Sequence, residues 1–205
     1  MKESKTLYKS FINSQQNIKN IHEITQKNSG HIIWLYGRPS SGKTTIAKAL
    51  WSELNNLDKP CITLDGDELR AGLNSDLGFS PSDRQENFRR AVEIAKIFSN
   101  KGYYVVCSFI TPTLIDRELV RSVANGYDLK MVYVNASLQT CIKRDVKGLY
   151  QKAMNGEIKN FTGISAPFDV TNYTHMIDTE ENSIADSLND LKSILNISPL
   201  RVISY

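Results

Sequence analysis

The fold is decided by the stretch Ile32-Ile33-Trp34-Leu35-Tyr36-Gly37-Arg38-Pro39-Ser40-Ser41-Gly42-Lys43-Thr44. It opens with a continuous apolar run, which is typical of a strand buried on both faces of a parallel sheet. From Gly37 onward it fits the pattern G-x-x-x-x-G-K-[ST], and apolar residues at helical spacing follow over 45–57. This strand, loop and helix context predicts a phosphate-binding loop; the alternative is a Gly/Ser turn that binds nothing.

Strand and helix patterns alternate along the rest of the chain. Further strands are predicted over 61–64, 103–109, 129–134 and 175–178, and further helices over 88–98, 114–123, 138–143 and 183–195. Such alternation predicts an α/β fold with a parallel sheet covered by helices on both faces. Ligands of such sheets bind at the carboxyl ends of the strands, where the predicted phosphate loop also lies. Residues 1–29 are polar and are expected to form an appendage to a domain over 30–205.

Composition excludes several classes of protein. The chain has 205 residues, of which 40% are hydrophobic and 23% charged, as in one ordinary globular domain. Its 25 basic and 22 acidic residues leave a net charge of +3, which is too small to indicate nucleic acid. The longest apolar stretch, 103–110, is too short to cross a membrane, and no secretory signal is recognisable. Three widely spaced cysteines predict neither disulfides nor a zinc site, so we expect a cytoplasmic protein.

Two charged segments follow the phosphate loop. Asp65-Gly66-Asp67 ends the second predicted strand, where its carboxylates could hold a metal-bound water or orient an attacking hydroxyl; the alternative is an acidic turn that caps the next helix. Arg70 and the segment 83–90 (Asp-Arg-Gln-Glu-Asn-Phe-Arg-Arg) are dense in arginine, which suits a second anionic ligand. A solvated charged helix face explains the same residues equally well.

These motifs together resemble the adenylylsulfate (APS) kinase family. The resemblance runs from about residue 31 to residue 178 and rests on the phosphate loop together with Asp65-Gly66-Asp67, Arg70, 76–80, 83–90, Phe109-Ile110-Thr111-Pro112, 144–153, 156–158 and Phe161-Thr162-Gly163-Ile164. It implies a three-layer P-loop kinase with a five-stranded parallel sheet. It also implies transfer of the ATP γ-phosphoryl group to the 3′-hydroxyl of APS, with Mg²⁺ as cofactor.

The resemblance assigns roles to individual residues. It implies Lys43, Asp65, Asp67 and Thr111 as catalytic residues, and Thr44 and Asp65 as the metal ligands. The implied ATP site is Gly37, Arg38, Pro39, Ser40, Ser41, Gly42, Lys43, Thr44, Thr45 and Arg144. The implied APS site is Asp67, Arg70, Phe79, Arg84, Asn87, Ile110, Thr111, Lys147, Leu149 and Phe161. Phe79 and Phe161 resemble the pair that encloses the adenine of APS, although buried phenylalanines of a core are the alternative. A basic lid is implied over about 144–165; its alternative is a solvated helix.

Three departures from the family pattern lie near the expected substrate. Thr111 stands where a phosphorylatable serine is usual, and we expect it to donate a hydrogen bond during direct in-line transfer. Ser165-Ala166-Pro167-Phe168-Asp169 replaces an acidic-Pro-Tyr pattern, and residues 1–29 lack the Trp-His and Arg-rich stretch of many relatives. Two other functions therefore stay open: a kinase for another small nucleotide-like acceptor, such as an activated phosphoramidate, and a nucleotide-binding partner without turnover. The resemblance further implies a homodimer, and ATP sulfurylase as a separate partner chain.

Overall fold

The computed structural model describes residues 30–197, so the segment predicted over 1–29 lies outside the described residues. Its strands are β1 (Ile32–Tyr36), β2 (Cys61–Asp65), β3 (Tyr104–Phe109), β4 (Leu129–Asn135) and β5 (His175–Asp178). They form one parallel sheet in the order β2-β3-β1-β4-β5. The helices are α1 (Lys43–Asn56), α2 (Gly66–Ala71), α3 (Pro81–Ser99), α4 (Leu114–Val123), α5 (Leu138–Arg144), α6 (Leu149–Met154) and α7 (Ile184–Ile194). The predicted five-stranded parallel sheet is confirmed.

Helices cover the two faces of the sheet, and the central strand β1 shows why. All five of its residues are buried, and successive side chains point to opposite faces. Trp34 packs in one core with apolar residues of α3 and α4, whereas Leu35 packs in a second core with residues of α1 and α7. A strand buried on both faces therefore produces the three layers that its continuous apolar run predicts.

The largest boundary difference is in α3, which begins at Pro81 and not at residue 88 as predicted, because Ser80 caps it and its first turns are polar and carry no apolar pattern. The other differences occur where helices are short or begin at special residues. Helix α1 begins at Lys43, two residues before the predicted start, because Gly42 adopts a left-handed conformation (φ 97°) that ends the phosphate loop there. Helices α2 and α6 have six residues each and were not predicted, because so short a segment carries little periodicity. The side chain of Asp65 caps α2 by accepting from the Asp67 amide, at 2.9 Å.

The register of the sheet brings the expected functional loops to one edge. Tyr36 at the end of β1 pairs with Phe109, and Asp65 at the end of β2 pairs with the adjacent Ser108. The phosphate loop and the Asp65-Gly66-Asp67 segment consequently leave the sheet on either side of β3. The three cysteines are free thiols. Among residues 30–197, no helix has both the length and the apolar character needed to span a membrane.

Candidate active site

The phosphate loop is held close to the sheet at its first glycine. A Cβ atom at Gly37 would lie 2.5 Å from the carbonyl oxygen of Val134 and 2.7 Å from Oγ of Ser41, so no larger residue fits. The Gly37 amide donates to the carbonyl of Ile110, at 3.3 Å, which connects the loop to the end of β3. Of the other predicted loop residues, Pro39 and Ser41 are buried, whereas Thr45 is exposed on the first turn of α1. A cradle of this kind presents backbone amides and a helix N-terminus to phosphate.

Lys43 is folded back onto the loop. Its side chain is largely buried, and Nζ donates to the carbonyls of Gly37 (3.0 Å) and Arg38 (2.7 Å). Burial lowers the pKa of Lys43 from its ordinary value to about 8, while the nearby Asp65 and Asp67 carboxylates act in the opposite direction. The ammonium group thus lies inside the cradle, at the place where phosphate oxygens would replace the two carbonyls.

Thr44 and Asp65 form the oxygen-rich corner of the site. The Thr44 hydroxyl donates to Oδ2 of Asp65 at 3.0 Å, in an exposed position. These hard oxygen ligands fit Mg²⁺, which is usually held by one or two protein groups together with water and substrate phosphates. Within residues 30–197 no group of three or more His, Cys, Asp or Glu side chains is arranged to hold a metal ion. The donor set therefore fits a metal that arrives with a nucleotide better than a resident metal centre.

The predicted lid contacts this corner and the loop. Lys147 forms an exposed ion pair with Asp67, which joins the lid to the end of β2. Tyr150 is completely buried, and its hydroxyl donates to the carbonyl of Pro39 at 3.1 Å. Leu149 packs partly buried in the same small apolar cluster as Tyr150 and Phe161. This segment is therefore packed onto the phosphate loop and is more than a solvated basic helix, whereas its role as a lid stays a prediction.

Arg84 joins the two loops that carry the predicted adenine-binding phenylalanines. Its guanidinium donates to the carbonyl of Phe79 (3.1 Å), to the carbonyl of Asn160 (2.8 Å) and to the Thr162 hydroxyl (3.0 Å). The ring of Phe79 is 66% exposed, whereas Phe161 is 8% exposed. In this structure Arg84 organises these loops through protein atoms, and its direct contact with APS stays a prediction.

Other residues predicted to hold APS lie on both sides of the two loops that Arg84 joins. The guanidinium of Arg70 lies 4.6 Å from the ring centroid of Phe79 and donates to the carbonyl of Gly78 at 2.6 Å. Asn87 is buried, and its Oδ1 accepts from Nδ2 of Asn74 at 2.8 Å. Helix α3 thus separates Asn87, which faces the protein interior, from Glu86 and Arg90, which form an ion-pair network with Asp76 and Arg89.

Thr111 lies in the core at the end of β3. Its side chain is completely buried, and its hydroxyl accepts from the indole of Trp34 at 2.9 Å. Its backbone has φ 41°, an uncommon value for a β-branched residue. The hydrogen bond that we expect Thr111 to make near the reacting phosphoryl group stays a prediction; the structure gives its hydroxyl a partner in the core.

Several residues that support the site were not singled out from the sequence. Arg117 is completely buried and donates to the carbonyls of Pro112 (2.9 Å), Thr171 (3.0 Å) and Asp169, and burial lowers its pKa. It thereby ties residues 169–171 to the segment that follows β3. Its place in α4 gives no signal in the sequence, because its partners are distant along the chain.

Arg144 reaches the phosphate loop through Thr179, another residue that the sequence did not indicate. It donates to the hydroxyl of Thr179 at 3.2 Å and also to its carbonyl. The same hydroxyl donates to the carbonyl of Ser41 at 2.7 Å. Beside this region, an open cavity of about 420 Å³ is lined by Arg38, Leu138 and residues 163–168. This lining includes most of the segment that departs from the family pattern.

The sheet order, the phosphate loop after β1 and the carboxylates after β2 define a P-loop kinase. The family model for adenylylsulphate kinase matches residues 29–177. An adenylyl-sulfate kinase of Bacteroides thetaiotaomicron is 46% identical over 161 residues, which cover 78% of this chain and 80% of that protein. One from Thermodesulfovibrio yellowstonii is 46% identical over 164 residues, covering 80% of each chain. The chain belongs to the adenylylsulphate kinase family.

A solved structure gives the same result. The Mycobacterium tuberculosis APS kinase CysC, in complex with AMPPNP and APS, superposes with a TM-score of 0.79 at 37% identity. The match covers 82% of this chain and 98% of that one.

Proposed function

We propose that this protein transfers the γ-phosphoryl group of ATP to the 3′-hydroxyl of APS, which yields PAPS and ADP. The observation that carries the proposal is the 3.0 Å contact between Thr44 and Asp65, which places a carboxylate at the mouth of the phosphate loop. Membership of the adenylylsulphate kinase family supports APS as the acceptor.

The phosphate loop and Lys43 would bind and neutralise the phosphates of ATP. Phosphoryl transfer through a loose transition state depends mainly on positioning and on stabilising negative charge. Lys43 would exchange its two carbonyl partners for phosphate oxygens and retain its proton there, because an anionic partner favours the charged form. Thr44 would hold Mg²⁺ directly and Asp65 would hold it through a metal-bound water, so that a carboxylate oxygen of Asp65 stays available to the acceptor; the metal would supply further positive charge at the phosphates.

Asp65 would also act on the acceptor. One carboxylate oxygen remains bonded to the Asp67 amide, which fixes the orientation of the side chain. The other would orient the 3′-hydroxyl and accept its proton as the oxygen attacks phosphorus. Asp67 lies beside it and, through its ion pair with Lys147, would hold the lid near the two nucleotides. We propose direct in-line transfer, without a phosphoenzyme.

The APS molecule would bind against the loops that Arg84 joins. The exposed ring of Phe79 is available for stacking, and Phe161 lines the other side of the junction. Arg70 and Arg84 would supply positive charge for the phosphosulfate, whose anionic oxygens suit guanidinium groups. Asn87 would supply an amide from helix α3. Ile110 and Thr111 would shape the floor of the site at the end of β3.

The remaining parts of the proposal concern the setting of the enzyme. A separate ATP sulfurylase would supply APS, the chain would form a homodimer, and it would work in the cytoplasm, where free thiols persist. Light scattering of the purified chain tests the dimer, since a monomer mass at working concentrations would contradict it.

The activity is tested by measuring ADP release with Mg·ATP and APS, together with mass detection of PAPS. A panel of other nucleotide-like acceptors is run in parallel, and Lys43→Ala serves as the blank for contaminating ATPase. We expect APS-dependent turnover. Turnover with another acceptor and none with APS would replace the proposed substrate. ATP binding without turnover on any acceptor would instead favour a non-catalytic nucleotide-binding partner.

A further inference from the structure

Two carbonyl groups of the phosphate loop are held from outside the cradle by side chains of other elements. A loop that binds phosphate must direct its amides inward, and its carbonyl oxygens, which would repel phosphate, must point away. Two such carbonyls, those of Pro39 and Ser41, accept from the hydroxyls of Tyr150 (3.1 Å) and Thr179 (2.7 Å). Neither hydroxyl belongs to the loop or to helix α1. One comes from the lid helix α6, and the other follows β5.

Thr179 is itself rigidly placed. Its amide donates to the carbonyl of Asn135 at the end of β4, at 3.0 Å. Its hydroxyl oxygen also lies 3.0 Å from that carbonyl, but its single proton is directed to the nearer carbonyl of Ser41, at 2.7 Å. Its hydroxyl oxygen also accepts from Arg144 at 3.2 Å. Its side-chain carbons lie 3.5 Å from the position of a Cβ on Gly42, the left-handed residue that precedes α1. The hydroxyl therefore contacts the loop from a fixed point of the sheet.

Tyr150 is fixed by packing. Its ring meets that of Phe161 edge to face, with centroids 5.0 Å apart, and its side chain has no exposure to solvent. Burial raises the pKa of the Tyr150 hydroxyl, so the group remains a proton donor over the whole working pH range. The hydroxyl contacts the phosphate loop, while the ring contacts a predicted APS-binding residue. Removing the hydroxyl alone would therefore abolish the contact with the phosphate loop and keep the contact of the ring with Phe161.

We propose that Tyr150 and Thr179 are positioning residues for nucleotide binding, whose hydroxyls hold the Pro39 and Ser41 carbonyls outward so that the phosphate loop presents its amides to ATP. The inference rests on the proposed function, because it takes ATP to be the nucleotide that the phosphate loop binds. Loss of either hydroxyl frees one carbonyl to turn toward the phosphates. The loss weakens the binding of the nucleotide at the phosphate loop and leaves the binding of APS unchanged.

The test compares Tyr150→Phe, Thr179→Val and Thr179→Ser. Titration calorimetry with ADP measures loop binding without APS, and steady-state kinetics give separate KM values for ATP and APS. Loss of one hydrogen bond predicts a rise of about two- to tenfold in the ADP Kd and ATP KM of Tyr150→Phe and Thr179→Val. The APS KM is expected to stay within twofold of wild type, roughly the scatter of such measurements. Thr179→Ser restores the hydroxyl and is expected to restore ADP affinity.

Matched controls remove a hydroxyl elsewhere. Tyr127→Phe deletes a phenol that accepts from Asn100 at 3.0 Å near the amino end of β4, and Thr63→Val replaces a residue inside β2. Both are expected to bind ADP like wild type. If Thr179→Val fails to fold, Tyr150→Phe still decides the matter, because it removes one of the two hydroxyls and keeps the ring.

Three results would overturn the inference: unchanged ADP affinity in Tyr150→Phe, equal increases in the KM values for ATP and APS, or no recovery in Thr179→Ser. A wild-type protein that binds ADP but does not phosphorylate APS would refute the proposed acceptor and leave the calorimetric comparison valid. A wild-type protein that does not bind ADP would refute both.

Discussion

Replacing Arg84 by lysine separates the charge of this residue from its geometry. The guanidinium makes three hydrogen bonds of 2.8–3.1 Å to the two loops that carry Phe79 and Phe161, and a lysine can keep one of them. Two bonds at partly exposed positions contribute about 0.5–1.5 kcal/mol each, or about 1–3 kcal/mol together. Loss of this free energy shifts the equilibrium of the free protein from joined loops toward separated loops, and the fraction of protein competent to bind APS falls. The APS KM is then expected to rise, by at most roughly 5- to 150-fold, because the competent fraction falls by the full factor only where the joined state is the minority.

The assay is ADP release measured against APS at saturating ATP, and against ATP at saturating APS. Arg89→Lys is the matched control on the same helix, because within residues 30–197 the Arg89 side chain bonds to Glu86 alone, at 2.7 and 2.8 Å. We expect the control to keep both KM values and Arg84→Lys to keep the ATP KM. Hydrogen exchange of the free protein supplies a second measurement: amides over 159–163 should exchange faster in Arg84→Lys. An unchanged APS KM together with unchanged exchange would refute the reasoning.

Further predictions concern the reacting end of the site. Lys43→Ala and Asp65→Asn are expected to lower kcat by several orders of magnitude with little change in Tm. The Tm should hold because asparagine still caps α2 and because burial disfavours the charge of Lys43. Near-normal rates in Asp65→Asn would remove Asp65 from the mechanism. Thr111→Ala should slow turnover about tenfold or less, because one hydrogen bond, that from Trp34, is lost. A stoichiometric phospho-adduct on the intact protein that chases into product on adding APS would contradict direct transfer. Metal-free ADP binding should weaken as pH rises through about 8, because Lys43 of the free protein loses its proton there. Lys43→Arg should abolish this pH dependence. Calorimetry at pH values up to about 1.5 units on either side of 8 checks it.

The sequence predicts those parts of the structure that are determined by residues close together along the chain. Strand β1 and the phosphate loop are contiguous, so the apolar run and the glycine spacing are sufficient to place them. Asp65 can be placed as well, because a residue that ends a parallel strand lies at the same edge as the loop. The position of Asp65 beside Thr44 follows from the topology, without any knowledge of side-chain packing.

Contacts between distant segments could not be predicted in this way. The sequence places Tyr150 in a basic lid but gives no sign that its hydroxyl contacts Pro39, which lies 111 residues earlier. Thr179 follows a short edge strand and has no motif of its own. Arg84 has a charge that suits substrate, yet its bonds to Asn160 and Thr162 depend on how a remote loop packs. A single sequence contains no signal for such pairs, because spacing reports only on neighbours along the chain.

The sheet order also has a consequence for biosynthesis. Strand β1 is synthesised first but lies in the centre, and its neighbours β3 and β4 end at Phe109 and Asn135. A nascent chain that stops before β4 leaves one edge of β1 unpaired and its apolar residues uncovered. The nucleotide cradle is complete only when Thr179 has left the ribosome, since its hydroxyl contacts Ser41. Ribosome-bound chains should therefore gain ATP affinity late in translation, and chaperones are expected to hold the exposed centre of the sheet until then.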